Sequence, residues 1–254
     1  LLTESEGGLM VATSSLRRHK TTHGRGRMGQ ITLGSLDPAY RYGRSLFPSR
    51  VFDPDEVQRV LKSGEQSRKI GREVRKGARR GWPIFTLTLE ERATCPRICR
   101  AWGFCYGNNM QAAERITAGP ALEAALQHEL ADLQRQNPTG FMVRLHVLGD
   151  FYSPDYVRFW TRALEALPAL HIFGFTAHDP ASEIVATLMY LANTQWDRFA
   201  VRFSGMDGPL LGSQLMPDHH AKAIPCPAQT EATDCCATCA LCWQSKRSIA
   251  FARH

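Results

Sequence analysis

The chain has no uninterrupted apolar run approaching the length that crosses a bilayer, so the sequence argues against a membrane-spanning helix. Leu1 to Val11 lacks the charged start and apolar stretch of a secretion signal, which places the expected location in the cytoplasm. Acidic residues are scarce early on. Residues 1–80 hold 17 Lys and Arg against 8 Asp and Glu, whereas residues 81–254 hold 14 against 16. The net charge of +7 is therefore entirely N-terminal. The scattered cysteine spacing of a small secreted disulfide scaffold is missing too. The eight cysteines instead form two tight groups, C-x3-C-x5-C at Cys95, Cys99 and Cys105, and C-x8-C-C-x2-C-x2-C at Cys226, Cys235, Cys236, Cys239 and Cys242. Without a secretion signal, such grouping favours metal ligation over disulfides.

Residues 1 to about 36 mix Gly, Thr and basic residues with almost no apolar periodicity, and the reading is a poorly structured tail. Asp53-Pro54-Asp55-Glu56 is a helix-start signal that predicts a short helix to about Lys62. Lys62 to Arg80 carries eight basic residues against two Glu. If helical it presents a basic face, suited to a nucleic-acid partner, or it is a solvated connector.

From Gly81 the pattern alternates between strand and helix. Strands are predicted at 84–89, 141–147, 170–176 and 198–204. Helices are predicted over 110–136 with a break at Gly119-Pro120, from Ser153, and from Asp179. This β-α-β-α-β-α-β order argues for a parallel sheet. Four strands are too few to close a barrel, so the expected fold class is α/β, a partial parallel (β/α) barrel. The expected organisation is a basic N-terminal extension over 1–80, the partial barrel with the first cysteine group over 81–210, and a Cys-rich metal-binding segment over 211–254, read as ordered by a metal instead of an apolar core.

The run Cys236-x2-Cys239-x2-Cys242 has the spacing of a ferredoxin-type iron-sulfur site, and Cys226-Pro227 resembles its remote ligand. Zinc bound by four cysteines is the alternative there. Cys235 is either spare or replaces Cys236. The first group offers three thiolates, which in a [4Fe-4S] cluster leaves one iron open to substrate or cofactor, unless Cys226 or Cys235 crosses over to close it. A loop that follows the first strand lies at the C-terminal strand ends, where parallel α/β folds carry their chemistry. The candidate catalytic residues there are Asp150 at the end of the second strand, His146 and Tyr106. His146 is read as facing away from Leu145 and Val147 into the barrel, or as a satisfied interior histidine. Tyr106 either packs over the cluster or caps the loop. His219-His220 reads as surface, and His254 as a further candidate.

The three-cysteine loop with Phe104 before its last cysteine resembles the radical S-adenosylmethionine superfamily, with x3 and x5 spacing where x3 and x2 is usual. Gly149-Asp150 is similar to that superfamily's Gly-Gly-Glu element, which implies a cofactor-binding role for both residues. More closely, TCP at Thr94 to Pro96, CY at Cys105-Tyr106, RLHVLGDFYS at 144–153, CPAQ at 226–229 and CATCALCW at 236–243 resemble the phage and plasmid family called gene product eighty-eight. The resemblance implies iron-sulfur binding in a radical-SAM-like fold with one or two [4Fe-4S] clusters, and admits S-adenosylmethionine as cofactor. Two functions remain open: an enzyme with an open-site cluster and an electron donor, or a non-enzymatic iron-sulfur protein for nucleic-acid binding or redox sensing with fully ligated clusters.

Overall fold

A computed structural model describes residues 30–216 and 218–252. The basic tail over residues 1–29 and the candidate His254 lie outside them. In chain order the strands are β1 (Val51–Phe52), β2 (Lys62–Ser63), β3 (Ile84–Thr86), β4 (Arg115–Ile116), β5 (Phe141–Leu145), β6 (Leu170–Thr176), β7 (Phe199–Ser204), β8 (Gly212–Leu215), β9 (Ile224–Pro225) and β10 (Ile249–Phe251). The helices are α1 (Pro38–Tyr42), α2 (Pro120–Gln136), α3 (Pro154–Ala166), α4 (Glu183–Thr194), α5 (Cys236–Cys239) and α6 (Leu241–Gln244).

Eight of these strands form one mostly parallel sheet in the order β2-β3-β5-β6-β7-β8-β10-β9, and among the described residues it does not close into a barrel. The expected four-strand unit is its centre: β3, β5, β6 and β7 are successive parallel neighbours joined through α2, α3 and α4. Right-handed crossovers between successive neighbours put their helices on one face. Side chains cap α3 and α4, while α2 starts at Gly119 without a side-chain cap. Ser153 Oγ accepts from the Tyr156 N–H at 3.1 Å, Ser182 Oγ accepts from the Val185 N–H at 3.3 Å, and Pro120 and Pro154 occupy first-turn positions. Leu122, Leu126, Leu130 and Leu133 of α2 are buried, as are Val157, Trp160 and Leu164 of α3. They meet Val143, Leu145 and Ile172, also buried, in the main core.

Four expectations change. Asp53-Pro54 starts only a 3-10 turn, Pro54–Glu56, and Lys62 enters β2, antiparallel to β3. Residues 64–80 are not a helix, because Gly71 and Gly77 take φ of 91° and 75°, which interrupts any helical run. Residues 110–119 are not helical either, since β4 lies there and pairs with β1. Residues 30–36, read as part of a poorly structured tail, are tied by Leu33 N–H to Gly103 O (2.8 Å) and by Asn108 Nδ2 to Ile31 O (2.8 Å). Beyond Gly205, where the sequence offers only Ile249-Ala250-Phe251 as a short strand or helix, the chain adds β8, β9 and β10 to the same sheet, β10 being that segment. Trp243, Ala237 and Ala240 of this stretch belong to the main core, so apolar packing contributes to its order.

Candidate functional site

The first cysteine group sits on the connection that leaves β3 at its C-terminal end. Its scaffold is a set of buried charges. Glu91 and Arg115, both fully buried, pair at 2.8 Å, and Ser45 Oγ donates to Glu91 at 2.9 Å. Arg115 also donates to the carbonyls of Gly107, Met110 and Ala113, and Arg92 to those of Trp102 and Arg44 and to the Asn108 side chain. Asn108 in turn donates to Gly103 O at 3.2 Å. These groups thread through the loop that carries Cys99 and Cys105, so the loop is positioned by guanidinium-to-carbonyl bonds more than by regular structure. Arg92 holds the left-handed φ of 65°, unusual for a residue with a side chain. The stretch around α1 crosses over the loop through Trp102 Nε1 to Tyr40 O (3.1 Å) and through Arg97, which donates to Tyr40 O (3.0 Å) and Arg41 O (2.9 Å).

Gly149 and Asp150 fix the other side of this loop. A Cβ on Gly149, whose φ is 87°, would sit 2.5 Å from Thr94 Oγ1, so only glycine allows Thr94 and Cys95 to approach so closely. Asp150 is buried and spends both carboxylate oxygens on backbone, accepting from Phe151 N–H (2.8 Å) and from Ala177 N–H (2.7 Å). It thereby clamps the ends of β5 and β6 together. Burial raises its pKa, against the charge of His178 and the hydrogen bonds from Ala177, Phe151 and Thr176. The loop after β7 joins the same end: a Cβ on Gly205 would lie 3.3 Å from Arg100 Nε.

The three thiols of this group influence one another. Burial raises Cys95, and Asp150, Cys99 and Cys105 push it further in the same direction. Cys99 is pushed up to about 11, by burial first and then by Cys105 and Asp150, against a bond to the Ala101 backbone. Cys105 is raised by burial, partly offset by a backbone bond at Gly107 and by the charges of Arg92 and Arg115. Tyr106, half-exposed at its surface, has its hydroxyl raised by burial and opposed by Arg144. His146 is buried, in line with its reading as an interior histidine and not with the one that faces a barrel lumen. Leu87 N–H bonds to Arg144 O and Val147 N–H bonds back to Leu87 O, one residue more than a regular parallel ladder uses. This bulge turns His146 toward α3, where its Nε2 meets the Tyr156 hydroxyl at 3.1 Å and its ring packs against Phe151. Burial lowers its pKa to about 3.

The second group is built differently. Cys226 follows β9, and its N–H bonds to Ala250 O of β10 at 2.8 Å. Cys236, Cys239 and Cys242 lie on the two single-turn helices α5 and α6, separated by Ala240 at φ 61°. Together with Trp243, Ile249 and their neighbours, these four cysteines line one narrow cavity. Cys235 does not line it: its Sγ is 3.6 Å from Thr238 Oγ1 and packs against Gly71. Cys236 is pushed up to about 12 by burial, then by Cys242, with Lys69 acting against the rise. Cys242 is likewise raised by burial, with Arg202 and Arg144 opposing.

Segment 64–80 is fastened to this group. Cys236 N–H bonds to Lys69 O (2.8 Å), Ala237 N–H to Ile70 O (2.9 Å) and Arg75 N–H to Ala237 O (3.0 Å), while Arg75 pairs with Asp234 at 2.7 Å. Lys62 and Arg79 are also engaged, with Glu114 and Asp197. Arg68, Arg72, Lys76 and Arg80 stay exposed.

Between the two groups lies the sheet face that β5, β6 and β7 present through Arg144, Phe173, Phe175 and Arg202, which are register neighbours. Trp243 packs on Phe173 with centroids 4.6 Å apart. Arg202, fully buried, hydrogen-bonds Cys242 and donates to the carbonyls of Leu241 (3.3 Å), Ser245 and Arg247 (2.7 Å). Neither Arg144 nor Arg202, nor the network of Glu91, Arg92, Asn108 and Arg115, was singled out from the sequence. A cleft of about 460 Å³ between residues 54–61 and α2 lies away from both thiol groups. Among the described residues no group of three or more His, Cys, Asp or Glu side chains stands in position to hold a metal ion.

A mostly parallel α/β sheet with two separate thiol groups, one at the strand ends and one on the strand-lined face, defines a class of cysteine-rich α/β protein. Within it, the chain belongs to the gene product 88 family, whose description, Gene product 88, matches residues 59–208. That match contains the first cysteine group and β2 to β7, while the second group lies outside it. The chain is also similar to the "Gene 88 protein" of Mycobacterium phage L5, 25% identical over 134 residues that make up 43% of this chain and 54% of that protein. It thus spans about half the length of that curated relative. No solved structure matches the chain.

Proposed function

We propose that this protein is an iron-sulfur protein carrying two [4Fe-4S] clusters. Cys226, Cys236, Cys239 and Cys242 would hold one, and Cys95, Cys99 and Cys105 the other with an iron left open, in a site of the radical-SAM kind. The observation that carries the reading is the narrow cavity lined by Cys226, which follows β9, and by Cys236, Cys239 and Cys242 of α5 and α6, with Cys235 turned away. The donor set fits. Four thiolates around a cluster leave net negative charge, and Arg202, bonded to Cys242, with Lys69 and Arg144 beside Cys236, are the cations that would balance it. Such clusters supply single-electron transfer, and an open iron supplies a point of attachment for substrate or S-adenosylmethionine. The sequential order of β3, β5, β6 and β7 supports a partial (β/α) barrel as the finer fold reading.

Anaerobic iron, sulfide and zinc analysis with Mössbauer spectroscopy tests this. Roughly eight irons per chain with matching sulfide, about half of them lost in Cys236→Ala, is the expected result. Zinc without sulfide overturns it in favour of a four-cysteine zinc site. Formation of 5′-deoxyadenosine by the reduced protein decides whether S-adenosylmethionine is the cofactor. The non-enzymatic alternative, nucleic-acid binding through the exposed Arg68, Arg72, Lys76 and Arg80, predicts salt-dependent binding that is lost when those four are neutralised.

A further inference from the structure

Arg144 is an arginine placed as if to receive something. It stands near the C-terminal end of β5, where ligands of parallel α/β sheets bind, on the face that separates the two thiol groups. Its guanidinium lies over the Phe175 ring at 4.7 Å and near the Phe173 ring at 5.8 Å. Stacking occupies the flat face of a guanidinium and leaves its N–H edge available, which is the edge that pairs with a planar or tetrahedral oxyanion in a two-pronged fashion. The edge has one hydrogen-bond partner here, the carbonyl of Leu145. Among the described residues no carboxylate lies within ion-pair distance of it. The side chain is half-buried, unlike the enclosed Arg202 two strands away, whose two terminal nitrogens donate to three carbonyls.

The surroundings add to this. Tyr106 is close enough on the first-group side for the charge of Arg144 to act on its hydroxyl. On the other side Phe175 packs edge-on against Phe251 at 5.5 Å, and Lys69 lies over the Phe251 ring at 5.9 Å. Two cations therefore flank one aromatic pair.

We infer that Arg144 is the anchor of a subsite for the anionic oxygen group, carboxylate or phosphoryl, of a small acidic ligand, held on the open sheet face between the two cysteine groups. This deepens the enzyme reading of that site by giving its substrate a chemical class, and it stands on the placement of Arg144 whether or not a cluster is bound.

Phenylglyoxal labelling with peptide mapping tests it on the full chain, both as isolated and metal-free, with sodium malonate and inorganic phosphate as probes and exposed Arg68 as the internal reference. Arg144 is expected to label, and a probe at ten times its dissociation constant to slow that labelling about tenfold while Arg68 is unaffected. Protection by malonate alone assigns a carboxylate ligand, by phosphate alone a phosphoryl ligand, and by both a general oxyanion site. In R144Q the saturable binding of the protecting probe, measured by equilibrium dialysis, should vanish, and R144K should restore it only in part because an ammonium cannot form the fork. Labelling of Arg144 that no probe slows, or no labelling of it in either preparation, overturns the inference. Absence of iron with protection intact would sink the cluster proposal and leave this one standing.

Discussion

Around Cys95, Cys99 and Cys105 the chain is held by charge, through Glu91, Arg92, Arg115 and Asn108 binding loop carbonyls; around Cys226, Cys236, Cys239 and Cys242 it is held by strand pairing and by Trp243 on Phe173. The difference teaches how a long irregular loop can be made definite. Backbone groups of a loop cannot satisfy one another as a ladder does, so a buried loop needs imported donors, and guanidinium groups carry five each. The second group needs fewer: Arg202 serves three of its carbonyls, while the pairing of β9 with β10 orders the backbone beside Cys226 and apolar side chains fill its interior.

The sharpest way to break this contrast is Glu91→Ala, which leaves Arg115 and Arg92 buried without their shared carboxylate. A loss of about 3–5 kcal/mol is expected by chemical denaturation, with Arg115→Met in the same background recovering part of it. A smaller loss would mean that the carbonyl bonds alone carry the loop. Next is Trp243→Ala, expected to cost about 3 kcal/mol by opening a cavity against Phe173. Hydrogen exchange should then rise in residues 236–244 and hardly at all in 95–110. Exchange rising equally in both would show the two groups to be one cooperative unit.

His146 provides a pH-dependent test on the loop side. Its folded pKa, lowered to about 3, lies below the ordinary histidine value of 6.5, so the unfolded chain takes up a proton that the folded chain refuses. Stability should fall as pH drops from about 6.5 toward 3, by up to ~1.4 kcal/mol per pH unit from this residue. His146→Gln should flatten that slope; an unchanged slope would assign the acid sensitivity to other groups. The smallest effect is expected from Cys235→Ala, which should leave metal content unaltered while costing about 1 kcal/mol in packing against Gly71. A loss of metal would return Cys235 to the ligand set in place of Cys236.

What could be read from the sequence follows the same division. Strands β6 and β7 and helices α3 and α4 announce themselves through apolar period and caps, and the grouping of cysteines through spacing. The scaffold of the first loop does not, because Arg92, Arg115 and Glu91 look like surface residues until burial pairs them. Arg144 was an unremarked member of an alternating strand. Strands β8 and β9, GSQL and IP, are too short and polar to carry a period, and depend on β10 for their identity. The bulge that turns His146 toward Tyr156 is invisible to an alternation rule, which assumes an unbroken pleat.

The position of β10 between β8 and β9 has a temporal side. A ribosome releases β8, β9, and then Cys236, Cys239 and Cys242, before the strand that ties them into one sheet. Until residues 249–251 emerge, Cys226 has no fixed place relative to the other three, because its N–H is anchored on Ala250. Segment 64–80, made far earlier, waits as well, since its carbonyls at Lys69 and Ile70 receive the N–H groups of Cys236 and Ala237. The four-thiol cavity thus takes shape only after residues 249–251 have left the exit tunnel, not while the cysteines themselves are emerging.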